Sequence, residues 1–318
     1  MIHLFKKITT IILLLAATNS FAQSEYKIVD DYVKDLGSLD SMNMATVSTI
    51  VTKNFPDNKL KARAIFDWIA NNISFDSKAS RNGDNSINLS DDILKTRKAT
   101  AFGYAALFQD MCSAVNIRCL TVDGYVKKTT DDINDKPDDF NHSWDVVQLG
   151  QSPTEWFYVD PAWGSGYTDK AVKIFTKAFN DSYFFSDPAI FNEQHFPDNM
   201  SWQLGGVGPK TAKDFFALPV VKNAAYQFGV TNFIPANGNV KTKAGKSLQF
   251  SMNVKDKEDI TVVSLLMGDG KIRKSKQVDY SFAGNTLTFN YKFDDEDSFP
   301  VTVVINGKEV LDYIIDIE

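Results

Sequence analysis

Apolar residues fall at three-and-four spacing along one stretch of the chain more regularly than anywhere else. Tyr104, Leu107, Phe108, Met111, Cys112 and Val115 form one stripe, and Ala101 and Ala105 extend it toward the start. Such a stripe predicts a helix from about 101 to 115 with a deeply buried face. Asn116 follows the last periodic position, where a left-handed capping residue is wanted. Earlier in the chain, Pro56 and Asp57 supply a breaker and a cap, and Leu60, Ala64, Ile65, Trp68 and Ile69 make a second amphipathic face. The mixed pattern over 26–53 predicts one or two further packing helices. Residues 77–90, polar and carrying Gly83, read as a surface loop. Strands are expected over 117–126, 141–149 and 156–159.

From Tyr226 the texture changes to short alternating runs: 226–234, 247–254, 260–267, 274–282, 286–293, 301–305 and 309–317. Turn pairs separate them, among them Asp269-Gly270, Gly284-Asn285 and Asn306-Gly307. Seven strands at this spacing predict an immunoglobulin-like β-sandwich over 226–318. The length of 318 residues exceeds what one core usually holds, so a second domain over 23–225 is expected.

The first 22 residues differ from the rest. Lys6 and Lys7 precede an apolar run from Ile8 to Ala17, and Ser20 and Ala22 place small residues at a cleavage position. This pattern predicts a signal peptide over 1–22 and an exported protein, periplasmic or extracellular. The run falls short of the roughly 20 apolar residues a spanning helix needs, so no stable membrane span is expected. Loss of two lysines takes the net charge from −6 to about −8, which argues against a nucleic-acid partner. Cys112 and Cys119 are the only cysteines. An exported chain could bridge them, or both could be small buried core residues.

One acidic stretch invites a metal reading. The segment from Lys127 to Asn141 holds five aspartates, yet it lacks the sixth-position glycine and terminal glutamate of an EF-hand ligand ladder. A solvated hairpin loop is the simpler reading, and the same holds for the Asp294 to Asp297 run. No metal and no cofactor are expected.

Candidate chemistry lies in three motifs: Arg97-Lys98 with Gly103-Tyr104-Ala105, then His142-Ser143-Trp144, then Val159-Asp160-Pro161-Ala162-Trp163-Gly164. At these residues the chain resembles the transglutaminase-like superfamily, and within it proteins of the kyphoscoliosis-peptidase type. The resemblance extends over roughly 57–204. It implies an α+β, papain-like core and a Cys-His-Asp triad with the nucleophile at the start of the central helix. His142 and Asp160 match the family's histidine and aspartate, and the resemblance sets their strands side by side. The nucleophile position holds Ala101. Its neighbours Ala99, Thr100 and Phe102 also depart from the family's usual glycine, valine and small residue, so several positions have drifted together.

The chemistry of an intact site explains why that departure matters. A thiol in the first turn of a helix is favoured as thiolate by the macrodipole and by an adjacent imidazole, and backbone N–H groups receive the oxyanion. Ala101 offers no nucleophile. Cys112 lies on nearly the same helix face but roughly 16 Å along the axis, and Thr100 would need a purpose-built base. His195, the other histidine of the exported chain, sits beside Phe196 and Pro197 with no acidic partner evident in sequence. Phe102, Tyr104, Trp144 and Trp163 are cleft-lining candidates, with packing as the alternative for Phe102. Three functions remain open: an inactive relative that keeps its cleft for a peptide, protein or cell-wall ligand; an active peptidase or acyltransferase with an unrecognised nucleophile; and a scaffold acting through its sandwich.

Overall fold

The computed structural model describes residues 26–84, 89–150, 155–270, 273–294 and 297–318. The candidate signal segment over 1–22 lies outside the described residues. Among those described, no helix is long and apolar enough to cross a membrane. The chain forms two compact units, one from residues up to 121 together with 144–184, the other from 122–143 together with 185–318.

The first unit is built on helices α1 (26–35), α2 (Met44–Thr52), α3 (Asn58–Asn72), α4 (Ser90–Thr96) and α5 (Ala101–Ala114). Helix α5 buries Ala101, Gly103, Tyr104, Ala105, Leu107, Phe108, Met111 and Cys112, the stripe anticipated from the spacing. Asn116 ends it at φ 61°. The Ile117 N–H donates to the Cys112 carbonyl at 2.9 Å and the Asn116 N–H to that of Ser113 at 3.1 Å, which satisfies two carbonyls the helix end would otherwise orphan. Asp57 caps α3 by accepting from the Leu60 N–H at 2.9 Å.

Helix α3 buries more than its apolar stripe. Arg63, 1% exposed, donates two 2.9 Å hydrogen bonds to the carboxylate of Asp30 on α1. Its guanidinium lies within 6 Å of the ring centres of Tyr26, Phe66, Phe179 and Phe184. A planar, weakly hydrated cation tolerates this position because the carboxylate and ring faces replace its water. The segment over 77–90, expected as loop, contains a short helix at Ser77–Arg81 capped by Asp76, whose side chain accepts from the Lys78 and Ala79 N–H groups.

Two strands run through both units, β1 (Arg118–Val126) and β2 (His142–Gln148). In the first unit β2 pairs antiparallel with β3 (Trp156–Val159), Asp145 opposite Val159. Helix α6 (Pro161–Ser165) follows at once. In the second unit, helix α7 (Pro188–Gln194) leads into β4 (His195–Pro197), which pairs antiparallel with β1, Val126 opposite His195. The acidic loop after β1 holds a 3-10 turn at Thr130–Asp132, and Asp132 is spent on capping it, accepting from the Lys128 and Thr129 N–H groups.

The C-terminal part of the second unit is a β-sandwich. Its strands are β5 (Val220–Val221), β6 (Thr231–Ile234), β7 (Asn239–Thr242), β8 (Ser247–Asn253), β9 (Val263–Met267), β10 (Lys274–Gln277), β11 (Tyr280–Ala283), β12 (Thr286–Lys292), β13 (Ser298–Ile305) and β14 (Lys308–Ile317). One sheet has the order β6-β8-β12-β11; the other has β7-β14-β13-β9-β10, with β5 also on β14. All these pairs are antiparallel except β7 with β14. Residues such as Phe250, Met252, Leu287, Val303, Leu311 and Tyr313 form the shared core, with Phe250 stacked on Phe289 at 5.0 Å. The fold is thus α+β with a C-terminal sandwich, as anticipated.

Three boundaries differ from the alternation pattern. Residues Ala224–Phe228 are a short helix, ended by Gly229 at φ 62°, so only the last part of 226–234 is strand. The run over 274–282 is two strands in different sheets, because the chain turns a corner at Val278 and Asp279 and buries Val278 in the core. Strand β7 has no apolar alternation to announce it, since its pairing partner is the far end of the chain.

Candidate functional site

Helix α4 ends at Arg97, which takes a left-handed conformation at φ 55° and donates its N–H to the Ile93 carbonyl at 2.7 Å. The Arg97 guanidinium reaches Asp40 at 2.7 Å and lies over the Trp68 ring at 5.2 Å. Lys98 and Ala99 then pair parallel with Ser74 and Phe75. These ties fix where α5 begins. Thr100 is its N-cap, extended at φ −77° and ψ 176°, and makes no side-chain capping bond. Ala101 is the first helical residue and is 6% exposed. A Cβ added to Gly103 would stand 3.0 Å from that of Ala99 and 3.3 Å from Ile93 Cδ1, so glycine lets α5 start this close to the segment before it.

One turn on, the Tyr104 hydroxyl donates to the Ile73 carbonyl at 2.7 Å. Burial raises its pKa, Asp160 raises it further, and a hydrogen bond with Ser165 works the other way. Tyr104 and Asp160 are therefore electrostatic neighbours in the first unit. Asp160 is fully buried. Its N–H donates to the Tyr183 carbonyl at 2.9 Å, and its Oδ1 accepts from the Trp163 N–H at 2.9 Å as the cap of α6. The Val-Asp-Pro-Ala-Trp-Gly motif has a local reason: aspartate caps, proline opens the first turn, and Gly164 lies where a Cβ would come within 2.4 Å of the Phe66 ring.

Continuing the β2–β3 register one residue beyond Asp145 and Val159 sets Trp144 across from Asp160. Trp144 is fully buried, as is Tyr104, whereas Phe102 and Trp163 keep part of their surface exposed. Trp163 packs edge-on against Tyr183 at 5.4 Å. Further along β2, Asp145 is buried, accepts from Thr121 at 3.2 Å and lies 3.6 Å from the Cys119 thiol. Cys112 and Cys119 are both free and buried, and burial pushes the Cys119 thiol well up.

In the second unit, the Asn141 carboxamide donates to the Val126 carbonyl at 2.9 Å and accepts from its N–H at 2.8 Å. It thus makes the pair of bonds a strand residue's own backbone would make, and it sets the residue after it, His142, at the head of β2. His142 is 3% exposed. Its ring centre lies 5.3 Å from that of His195, and a nitrogen of one ring is within 4.8 Å of a nitrogen of the other. His195 is fully buried and lies flat on Phe191, centres 3.9 Å apart and planes 7° from parallel.

His195 is the site neighbour that sequence reasoning set aside. The available signal was strand β4 itself, too short at three residues to carry a period. Two other groups of this unit, buried Lys127 and half-buried Glu193, escaped the sequence as well. Lys127 donates to the Phe215 carbonyl and lies 3.7 Å from the Phe215 ring centre, and burial lowers its pKa to about 7. Burial raises Glu193 to about 8, with Lys127 opposing.

Residues 45–161 match the model of the transglutaminase-like superfamily. Kyphoscoliosis peptidase from Mus musculus is 35% identical over 191 residues, 59% of this chain and 28% of that protein. The Homo sapiens kyphoscoliosis peptidase gives the same figures. Hillarin from Drosophila melanogaster is 28% identical over 186 residues, 54% of this chain and 22% of its own. The chain thus spans less than a third of the length of these relatives.

Proposed function

Because residues 45–161 match the model of the transglutaminase-like superfamily, we propose that the chain is an exported member of it whose catalytic centre has lost its nucleophile and is kept for binding. The observation that carries this reading is Ala101, the first residue of a buried helix preceded by Arg97-Lys98 and followed by Gly103-Tyr104-Ala105. In this reading Ala101 stands in the thiol position, and His142 and Asp160 are what remains of the triad. The antiparallel register supports their pairing, since Asp160 falls opposite Trp144, the residue that shares a strand face with His142. Asp160 would orient the imidazole, and the imidazole would have no thiol to deprotonate.

The ligand class is a peptide, a protein segment or a cell-wall polymer, and the protein works outside the cytoplasm after losing residues 1–22. No nucleic acid and no cofactor enter the scheme. The C-terminal sandwich is immunoglobulin-like. With β6 to β14 named A, A′, B, C, C′, D, E, F and G, its sheets have the orders A-B-E-D and A′-G-F-C-C′.

The test is turnover. Purified mature protein, offered peptide and acyl-donor substrates, should show no hydrolysis or transfer that disappears in His142→Ala. A robust rate abolished by that substitution would overturn the reading and favour an active peptidase or acyltransferase with another nucleophile. Loss of peptide or cell-wall binding in the same variant, with no turnover to lose, separates a retained cleft from a scaffold that works through the sandwich.

A further inference from the structure

The chain has two cysteines, and the fold of the first unit brings both to the far end of α5. Cys112 lies in the last turn of that helix, and Cys119 is the second residue of β1. The turn between them is set by Asn116 at φ 61° and by the Ile117 N–H, which donates to the Cys112 carbonyl at 2.9 Å. Gln109 then holds the strand against the helix, its side-chain amide donating to the Cys119 carbonyl at 3.2 Å. Gln109 and Cys112, three residues apart, are neighbours on one helix face, so the residue that Gln109 holds lies beside Cys112.

The side chains meet as well. Cys112 is fully buried and Cys119 is 5% exposed. Burial, and then a hydrogen bond with the Cys112 thiol, raise the Cys119 pKa, so the two sulfurs are neighbours in one dry layer. Asp145 fixes the direction of the Cys119 side chain: its Oδ1 lies 3.6 Å from the thiol, which therefore points into the core between α5 and β2. The structure holds the pair reduced.

We infer that Cys112 and Cys119 close a disulfide in the exported protein, a covalent staple between the end of α5 and the start of β1. The assignment rests on the proposed export, since thiol pairs stay reduced in the cytoplasm. The bond forms by exchange with a disulfide donor R–S–S–R, a small molecule or a protein. The Cys119 sulfur, as thiolate, attacks one donor sulfur and breaks the donor's S–S bond, and the R–S⁻ released takes up the Cys119 proton. The Cys112 sulfur then attacks that of Cys119 and displaces the second R–S⁻, which takes up the Cys112 proton. Two electrons pass to the donor. Burial shields both thiols once the core has closed, so the exchange belongs to the folding chain, in which the short turn already keeps the sulfurs near each other. The staple then fixes, along its axis, the helix that opens on Ala101.

The experiment maps the sulfurs. Mature protein, unfolded and reduced, is refolded with a mixture of oxidised and reduced glutathione, alkylated with iodoacetamide in urea, and digested with trypsin for mass spectrometry. Because trypsin cuts after Arg118, the expected product is two fragments joined through Cys112 and Cys119, with neither residue alkylated. Dithiothreitol should open the link about tenfold or more faster in urea than in the folded protein, as for a buried, unstrained bridge. Alkylation of both cysteines, or glutathione adducts without joined fragments, would overturn the assignment. The linked form should also melt roughly 5 °C above the reduced form, and a lower melting temperature would show that the fold resists the bond. Full-length chain recovered from its host separates this assignment from the export on which it rests. A cleaved, exported chain with both thiols free would defeat the disulfide alone. A chain that keeps residues 1–22 in the cytoplasm, yet links once purified and oxidised, would defeat the export reading and support the pairing.

Discussion

The imidazole of His195 lies flat on Phe191 with ring centres 3.9 Å apart, and its own centre is 5.3 Å from that of His142. His195 therefore supports one wall of the His142 side chain, and its removal opens a cavity at that wall. His195→Ala should destabilise the protein by about 3–5 kcal/mol, the range for deleting a buried aromatic ring. His195→Phe, which keeps the stack, should cost less than half of that. Urea midpoints of the two variants, compared at constant m, check the order. Equal losses would show that the flat contact with Phe191 contributes nothing.

Ala101 and the two native cysteines make contrasting predictions for thiol chemistry. Cys112 and Cys119 are buried, and burial holds Cys119 in the thiol form. The unmodified folded protein should therefore resist iodoacetamide at neutral pH. Ala101→Cys places a thiol at a helix start, where the macrodipole favours the thiolate. Labelling at residue 101, read by peptide mass spectrometry, should be at least tenfold faster than at either native cysteine. Comparable rates at all three positions would remove the helix terminus from the argument.

Asp67, buried on α3, predicts a pH dependence. Burial, and then Asp30, raise its pKa to about 7, while Arg63 and Asn71 pull the other way. The folded value lies above the unfolded one, so the folded state holds the extra proton between about pH 4 and pH 7. Stability from this group is complete below that window and is lost as the pH rises through it. Asp67→Asn should accordingly stabilise the protein more at pH 8 than at pH 5, by up to ~4 kcal/mol at the higher pH. Thermal melts of both proteins at the two pH values decide it, and a gain that is larger at pH 5 would reverse the assigned sign.

Gly164 predicts a steric effect inside the motif that carries Asp160. A Cβ there would meet Phe66 at 2.4 Å, and Phe66 is itself fully buried beside Phe179 and Phe184. Gly164→Ala should cost about 1–3 kcal/mol, as overpacking does. Phe66→Leu in the same background should recover part of it. The double-mutant cycle by chemical denaturation checks the coupling, and strict additivity would mean that the two groups do not compete for space.

Local pattern was enough for the elements that frame the candidate site. Helix α5, its buried stripe and its left-handed end at Asn116 follow from spacing alone, because a helix repeats its own geometry every few residues. The cap of α3 at Asp57 and the strands over 118–126, 142–148 and 156–159 were legible for the same reason, as were the motifs around Arg97, His142 and Asp160.

Tertiary structure decided which polar groups are buried together and which sheet each short strand joins. Arg63 reads as a surface charge on α3 until Asp30, 33 residues earlier, closes on it. His195 gains its meaning from Phe191 and from His142, neither of which its own three-residue strand reveals. The run over 274–282 alternates like one strand, and only the two partners it finds, β9 for the first half and β12 for the second, divide it between sheets. Periodicity reports the local backbone and the side facing a core. The identity of a long-range partner is set by pairing and desolvation across the chain, and no short stretch of sequence contains it.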